Sequence, residues 1–130
     1  MNADFSMPIL VVDDYQTMVR IMRNLLKQIG YENVDDASNG EEALAKVRSK
    51  SYGLIISDWN MEPMTGLELL QNVRSDPSSA PTPFIMVTAE SKTDNVLAAR
   101  KAGVSSYIVK PFNAQMLKAK IDAVCGSRAA

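Results

Sequence analysis

Short runs of apolar residues alternate along the chain with longer segments in which apolar residues recur every three or four positions. The apolar runs lie at residues 8–12, 33–38, 53–57, 83–88 and 105–109. Runs of this length without polar alternation are typical of strands buried on both faces of a parallel sheet. The second run is the exception, because Asp35 and Asp36 interrupt it, and it is predicted to be an edge strand.

The segments between these runs have the apolar spacing of five amphipathic helices. Asn39 is expected to cap the second helix, with Glu42 at its third helical position. The third helix is expected to begin near Leu67 and to stop before Pro77. Glycines are expected to end the first, fourth and fifth helices: Gly30, Gly103 and Gly126.

Strict alternation of strand and helix predicts an α/β fold, in which a parallel sheet is covered on both faces through right-handed crossovers. No repeat, low-complexity tract or linker interrupts the 130 residues. We therefore expect residues 1–130 to form a single doubly wound domain.

Composition narrows the class of protein. Apolar residues make up 46% and charged residues 22% of the chain, as in a soluble globular protein. The net charge of −1 gives no electrostatic reason to expect nucleic acid or an anionic membrane as a partner. The lone Cys125 fits a reducing compartment, and the first residues lack the pattern of a signal peptide. These features predict a cytoplasmic protein.

Polar side chains follow four of the predicted strands at the point where each strand ends. They comprise three carboxylates, one hydroxyl and one ammonium group: Asp13, Asp14, Asp58, Thr88 and Lys110. Because parallel strands end at the same edge of a sheet, these groups are expected to face one crevice, which is where open α/β sheets bind ligands.

Three carboxylates in one pocket require compensation, since two unit charges about 4 Å apart repel by roughly 4 kcal/mol at an effective dielectric near 20. Lys110 offsets one charge and a divalent cation would offset two. Ligands that are all oxygen suit Mg²⁺, and the chain has no histidine to build a softer site.

A carboxylate beside Mg²⁺, a lysine and a hydroxyl is suited to phosphoryl transfer. Asp58 is the expected nucleophile and Thr88 the expected donor to a phosphoryl oxygen. Taken singly, each residue has a simpler interpretation. Asp13 and Asp14 could cap the first helix, Thr88 could merely finish a strand, and Lys110 could be a surface lysine.

The chain resembles response-regulator receiver domains, and among them the single-domain receivers of chemotaxis. Four stretches carry the resemblance, which covers nearly the whole chain: Val11-Val12-Asp13-Asp14, Ile56-Ser57-Asp58-Trp59-Asn60-Met61, Met86-Val87-Thr88-Ala89-Glu90 and Tyr107-Ile108-Val109-Lys110-Pro111-Phe112. The resemblance implies a flavodoxin-like (βα)5 fold with strand order 2-1-3-4-5, an order that the periodicity alone does not provide.

The resemblance also assigns roles. Asp58 would accept phosphate from a histidine kinase, with Mg²⁺ held by Asp14, Asp58 and the main-chain carbonyl of Asn60, and by Asp13 through water. The phosphoryl group would be stabilised by Thr88, Ala89 and Lys110, the last preceding a cis Pro111. Thr88 and Tyr107 would be the switch pair. The output face would run from the fourth helix through the fifth strand to the fifth helix and include Lys92, Tyr107 and Lys120.

These roles describe a monomeric signalling switch that is not an enzyme acting on a free substrate, although it assists its own phosphorylation and dephosphorylation. The expected partner is the flagellar motor switch, and the alternative is a phosphotransfer protein in a phosphorelay or phosphate-sink role.

A Mg²⁺-dependent phosphatase with an aspartyl nucleophile is disfavoured because Asn60 stands where its second carboxylate is needed. A flavin-binding protein is disfavoured by the anionic crevice. The sequence departs from the family where Glu62, followed by Pro63, replaces the usual proline. This departure leaves metal affinity and phosphate lifetime open, but not the chemistry.

Overall fold

The computed structural model describes residues 5–62, 64–88, 93–110 and 112–125, with the side chains of residues 93–95 left out. Five strands and five helices alternate along this part of the chain. The strands are β1 (Ile9–Val12), β2 (Val34–Ala37), β3 (Leu54–Asp58), β4 (Phe84–Thr88) and β5 (Ser106–Val109). The helices are α1 (Gln16–Ile29), α2 (Gly40–Ser49), α3 (Gly66–Ser75), α4 (Thr93–Lys101) and α5 (Ala114–Val124).

The strands form one sheet in the order β2-β1-β3-β4-β5, with every neighbouring pair parallel. This confirms the predicted fold class, the strand order and the edge position of β2. In the register of the central strands, Val12 pairs with Ser57 and Asp58 pairs with Val87. The carboxyl ends of β1, β3 and β4 are therefore level with one another.

Two apolar clusters cover the two faces of the sheet. One joins the sheet to α1 and α5 through Met22, Leu26, Leu117 and Ile121. The other joins it to α2 and α3 through buried residues that include Leu44, Leu69, Leu70 and Val73. A sheet buried on both faces explains why its strands read as continuous apolar runs.

The ends of the helices follow the predicted signals in part. Gly30 ends α1 with a φ of 125°, in the left-handed region that glycine tolerates, and Asn39 caps α2 by accepting a hydrogen bond from the Glu42 amide. Gly103 follows α4, whereas Gly126 lies outside the described residues. No helix in the described ranges has both the length and the apolar character that crossing a membrane requires.

Candidate functional site at the carboxyl edge of the sheet

The backbone brings the predicted site residues to one edge of the sheet. Asp13 directly follows β1, Asp58 is the last residue of β3, Thr88 is the last residue of β4, and Lys110 directly follows β5. Asp13 and Asp58 each stand one position beyond the last residue pair of β1 and β3. The parallel register therefore holds these residues at the same height.

The three aspartates form a compact acidic cluster. One carboxylate oxygen from each of Asp13, Asp14 and Asp58 lies within 4.8 Å of the others. Asp13 is 4% exposed and Asp58 is 7% exposed, whereas Asp14 is open to solvent. The predicted gathering of three carboxylates is present, with two members buried and one at the mouth.

Lys110 forms an ion pair with the buried end of this cluster. Its Nζ lies 3.1 Å from Oδ1 of Asp58, and its side chain is 25% exposed. Its main-chain amide donates to the carbonyl of Thr88 over 2.7 Å, which ties the residue after β5 to the end of β4. Lys110 is therefore fixed at the acidic cluster by both its side chain and its main chain, unlike a free surface lysine.

The buried carboxylates resist ionisation. The pKa of Asp13 is raised from 3.8 to about 6, chiefly by burial; a hydrogen bond from the Tyr15 amide opposes this rise and the neighbouring charge of Asp58 adds to it. Burial also raises the pKa of Asp58, and the hydrogen bond and positive charge of Lys110 compensate only in part. The positive charge of Lys110 is therefore not sufficient to offset the cost of ionising these buried carboxylates.

Asp13 and Asp14 do not cap α1. The N-cap residue is Tyr15, which makes no side-chain capping bond, and the first turn of α1 contains no acidic residue. Asp13 accepts a hydrogen bond from the Tyr15 amide over 3.0 Å, through its Oδ1 atom. That bond fixes the orientation of the Asp13 carboxylate at the pocket, so the capping interpretation is wrong.

The loop after β3 is held by main-chain contacts. The Trp59 amide donates to the carbonyl of Val87, and the Gly66 amide donates to the carbonyl of Trp59, each over 2.9 Å. A Cβ atom at Gly66 would lie 2.3 Å from the main-chain oxygen of Asp58. Gly66 therefore permits a close approach that no other residue would allow. Sequence reasoning missed this role, although a glycine soon after the acidic strand end was a usable signal.

An open cleft of about 440 Å³ adjoins the acidic cluster. It is lined by Asp14, Asn60, Met61, Glu62 and Thr65. Asn60 and Glu62 are both exposed, so the cleft joins the cluster to solvent. The structure therefore places Asn60 beside the predicted metal ligands, and it brings Glu62 to the same opening.

The predicted switch residues share one face of the sheet. Tyr107 pairs with Met86, whose side chain belongs to the α2 and α3 side of the core, and Tyr107 packs against that cluster. Thr88 stands two positions after Met86 and so points to the same side. Thr88 is 4% exposed and Tyr107 is half-buried.

The remaining predicted residues divide into two groups. Lys120 is half-buried on α5, and its part in an output face stays a prediction. Ala89, Lys92, Pro63 and Pro111 lie outside the described residues.

The donor set fits a hard divalent cation. Its available atoms are carboxylate oxygens, and the chain contains no histidine. Two of the carboxylates are buried with raised pKa values, so a cation with two positive charges would relieve their repulsion. The residues present therefore suit Mg²⁺.

Comparison with known proteins gives matches over most of the chain. A family model described as response regulator receiver domain matches residues 9–122. Chemotaxis protein CheY of Pseudomonas aeruginosa is 47% identical over 118 residues, which are 91% of this chain and 95% of that protein. Chemotaxis protein CheY-3 of Vibrio cholerae is 43% identical over 119 residues, which are 92% of each. The solved structure of CheY4 of Vibrio cholerae superposes with a TM-score of 0.86 at 34% identity and covers 92% of this chain and 98% of that one.

Proposed function

Since the chain belongs to the response regulator receiver domain family, as a response regulator of the chemotaxis CheY type, we propose that a histidine kinase transfers a phosphoryl group to Asp58. The observation that supports this most directly is the ion pair between Asp58 and Lys110 inside the acidic cluster. The ion pair provides a carboxylate nucleophile and a fixed ammonium group, and the surrounding cluster provides carboxylates for a metal ion.

We propose that Mg²⁺ is held by Asp14, Asp58 and the main-chain carbonyl of Asn60, and by Asp13 through water. When bound, the ion would supply positive charge to the oxygens of the phosphoryl group. Asp13 is oriented for this role by its hydrogen bond from the Tyr15 amide. The exposed Asp14 lines the cleft through which a hydrated ion would enter.

In the transfer step a carboxylate oxygen of Asp58 forms a bond to phosphorus. The bond from phosphorus to the imidazole nitrogen of the donor histidine breaks, and its electron pair leaves with the imidazole. Lys110 would pair with a phosphoryl oxygen, a role supported by the 3.1 Å distance between its Nζ and Oδ1 of Asp58. Thr88 and Ala89 would donate hydrogen bonds to the remaining oxygens.

Phosphorylation would add about −1.5 to −2 charges at the carboxyl edge of the sheet. Thr88 would move towards the phosphoryl oxygens, and Tyr107, on the same face of the sheet, would follow into the space beside β4. The population of the active form would rise, and the surface formed by α4, β5 and α5 would bind its partner.

The relatives that carry chemotaxis names favour the flagellar motor switch as that partner, with Lys92, Tyr107 and Lys120 in the contact. In this mechanism the protein is a signalling switch. Its only chemistry is the gain and loss of its own phosphoryl group, which Mg²⁺ and Lys110 assist.

Intact-protein mass spectrometry with acetyl phosphate and Mg²⁺ tests the proposal. The wild type should gain the mass of one phosphoryl group, and Asp58→Asn should gain none. The control Asp76→Asn, at the end of α3, should be labelled like the wild type. Labelling that survives in Asp58→Asn would place the acceptor elsewhere. Capture of purified motor-switch protein by phosphorylated but not unphosphorylated wild type would separate the motor role from a phosphorelay or phosphate sink.

A further inference from the structure

Glu62 adds a fourth carboxylate to the opening of the site. It lines the same cleft as Asp14 and Asn60 and is exposed. The ion pairs among the described residues join other side chains and leave Glu62 unpaired. Its negative charge is therefore available to whatever enters or leaves the cleft.

The charges explain why this position matters. When ionised, the three aspartates and Lys110 together carry two negative charges, which one divalent cation would neutralise. Glu62 lies outside that balance. The mouth therefore remains anionic when a divalent cation is bound, and a phosphodonor that reaches Asp58 through this cleft passes the charge of Glu62.

We propose that Glu62 is a specificity-determining residue, which disfavours dianionic small phosphodonors at Asp58 and strengthens the binding of the divalent cation. This inference rests on the proposed function of Asp58. In water, a unit charge lowers the local concentration of a like unit charge about 8 Å away by about twofold. The phosphorylation rate with a dianionic donor is therefore reduced about twofold more than the rate with a monoanionic donor.

Acetyl phosphate and phosphoramidate provide this comparison, since near pH 7.5 the first is mainly a dianion and the second mainly a monoanion. With both donors a carboxylate oxygen of Asp58 forms a bond to phosphorus. The bond that breaks joins phosphorus to the acetate oxygen in one donor and to the protonated nitrogen in the other. Acetate or ammonia leaves with the electron pair, so only the charge of the donor and its leaving group differ.

The experiment measures phosphorylation rates with both donors for the wild type, Glu62→Gln and Glu62→Lys at low salt. The ratio of the acetyl phosphate rate to the phosphoramidate rate should rise about twofold in Glu62→Gln and about fourfold in Glu62→Lys. In roughly 1 M salt, where the screening length is about 3 Å, these gains should largely vanish. The matched control is Glu32→Gln, an exposed glutamate before β2 at the opposite end of the sheet, and it should leave the ratio unchanged.

A second readout does not depend on phosphorylation. Trp59 follows Asp58 directly, so its fluorescence should report a titration with Mg²⁺ alone. Because Mg²⁺ carries two charges, the midpoint should rise about fourfold in Glu62→Gln and stay unchanged in Glu32→Gln. If Glu62→Gln matches the control in both the donor ratio and the Mg²⁺ midpoint, the inference is overturned while the role of Asp58 stands. If instead Asp58→Asn is still labelled, the proposed function itself fails.

Discussion

The substitution Asp13→Asn tests how much the buried charge of Asp13 destabilises the folded protein. Asparagine has nearly the same shape, and its Oδ1 can still accept the hydrogen bond that the Tyr15 amide donates over 3.0 Å. The change therefore removes a buried negative charge and preserves the local geometry. Without divalent cations, we expect the variant to be more stable than the wild type at neutral pH.

The size of the effect follows from the pKa of Asp13, which is raised from 3.8 to about 6. One pKa unit corresponds to 1.36 kcal/mol, so the ionised carboxylate destabilises the folded wild type by up to about 3 kcal/mol. Because the folded pKa lies above the unfolded one, the folded state holds its proton more tightly. The stabilisation that comes from this tighter proton binding is complete below pH 3.8 and is lost as pH rises through about 6.

The assay is urea unfolding in EDTA, followed by far-UV circular dichroism at several pH values from 4 to 8. The stability advantage of Asp13→Asn should be small near pH 4 and should grow to between 1 and about 3 kcal/mol at pH 7.5. Saturating Mg²⁺ should narrow the gap, because a ligand at about 100 times its Kd stabilises the wild type by about 2.7 kcal/mol and the variant binds it less well.

A control with the opposite sign is Asp35→Asn. Hydrogen bonds from Lys50 and Tyr52 lower the pKa of Asp35, so this carboxylate stabilises the folded state above its unfolded pKa and loses that effect as pH falls. The variant should be less stable than the wild type at pH 7.5, with a gap that narrows towards pH 4. An Asp13→Asn variant that is no more stable than the wild type at pH 7.5, or whose advantage is independent of pH, would refute the reasoning.

Three further substitutions test other parts of the site. Lys110→Ala removes the 3.1 Å ion pair with Asp58. We expect Mg²⁺ binding, measured by Trp59 fluorescence, to persist and phosphorylation-dependent capture of the partner to fail. Capture at the wild-type level would disprove the role of Lys110 in switching. Thr88→Ala should be labelled by acetyl phosphate like the wild type but should not increase partner capture; a normal increase would exclude Thr88 from the switch. Gly66→Ala places a Cβ 2.3 Å from the Asp58 carbonyl and should destabilise the protein by about 1–3 kcal/mol in urea unfolding and weaken Mg²⁺ binding. Gly53→Ala, which meets mainly the flexible side chain of Met7, should cost less, and equal costs would argue against a special role for Gly66.

The sequence was sufficient to predict the fold and the gathering of Asp13, Asp14, Asp58 and Lys110. The fold class and this gathering follow from local information, because an apolar run marks a buried strand and parallel strands end at one edge, whereas the strand order came from the family resemblance. Within the register of β4 and β5, alternation also places Thr88 and Tyr107 on the same side of the sheet.

Other features depend on contacts between distant parts of the chain. Only glycine fits at position 66 because α3 approaches the Asp58 carbonyl; the glycine itself was a local signal, but the contact that requires it forms only in the folded chain. The raised pKa of Asp13 depends on how deeply the finished fold buries it. By contrast, the capping box of Thr65 and Glu68 and the cap by Asn113 are local signals that apolar spacing alone does not reveal.

The most direct test is to locate the phosphoryl group chemically. After reaction with acetyl phosphate and Mg²⁺, reduction with borohydride converts a phosphorylated aspartate to homoserine, and peptide mass spectrometry identifies the position. We predict homoserine at position 58 alone, and its loss when Mg²⁺ is omitted. Homoserine at position 13 or 14, or a phosphorylated protein with aspartate intact at position 58, would contradict the assignment of Asp58 as the acceptor.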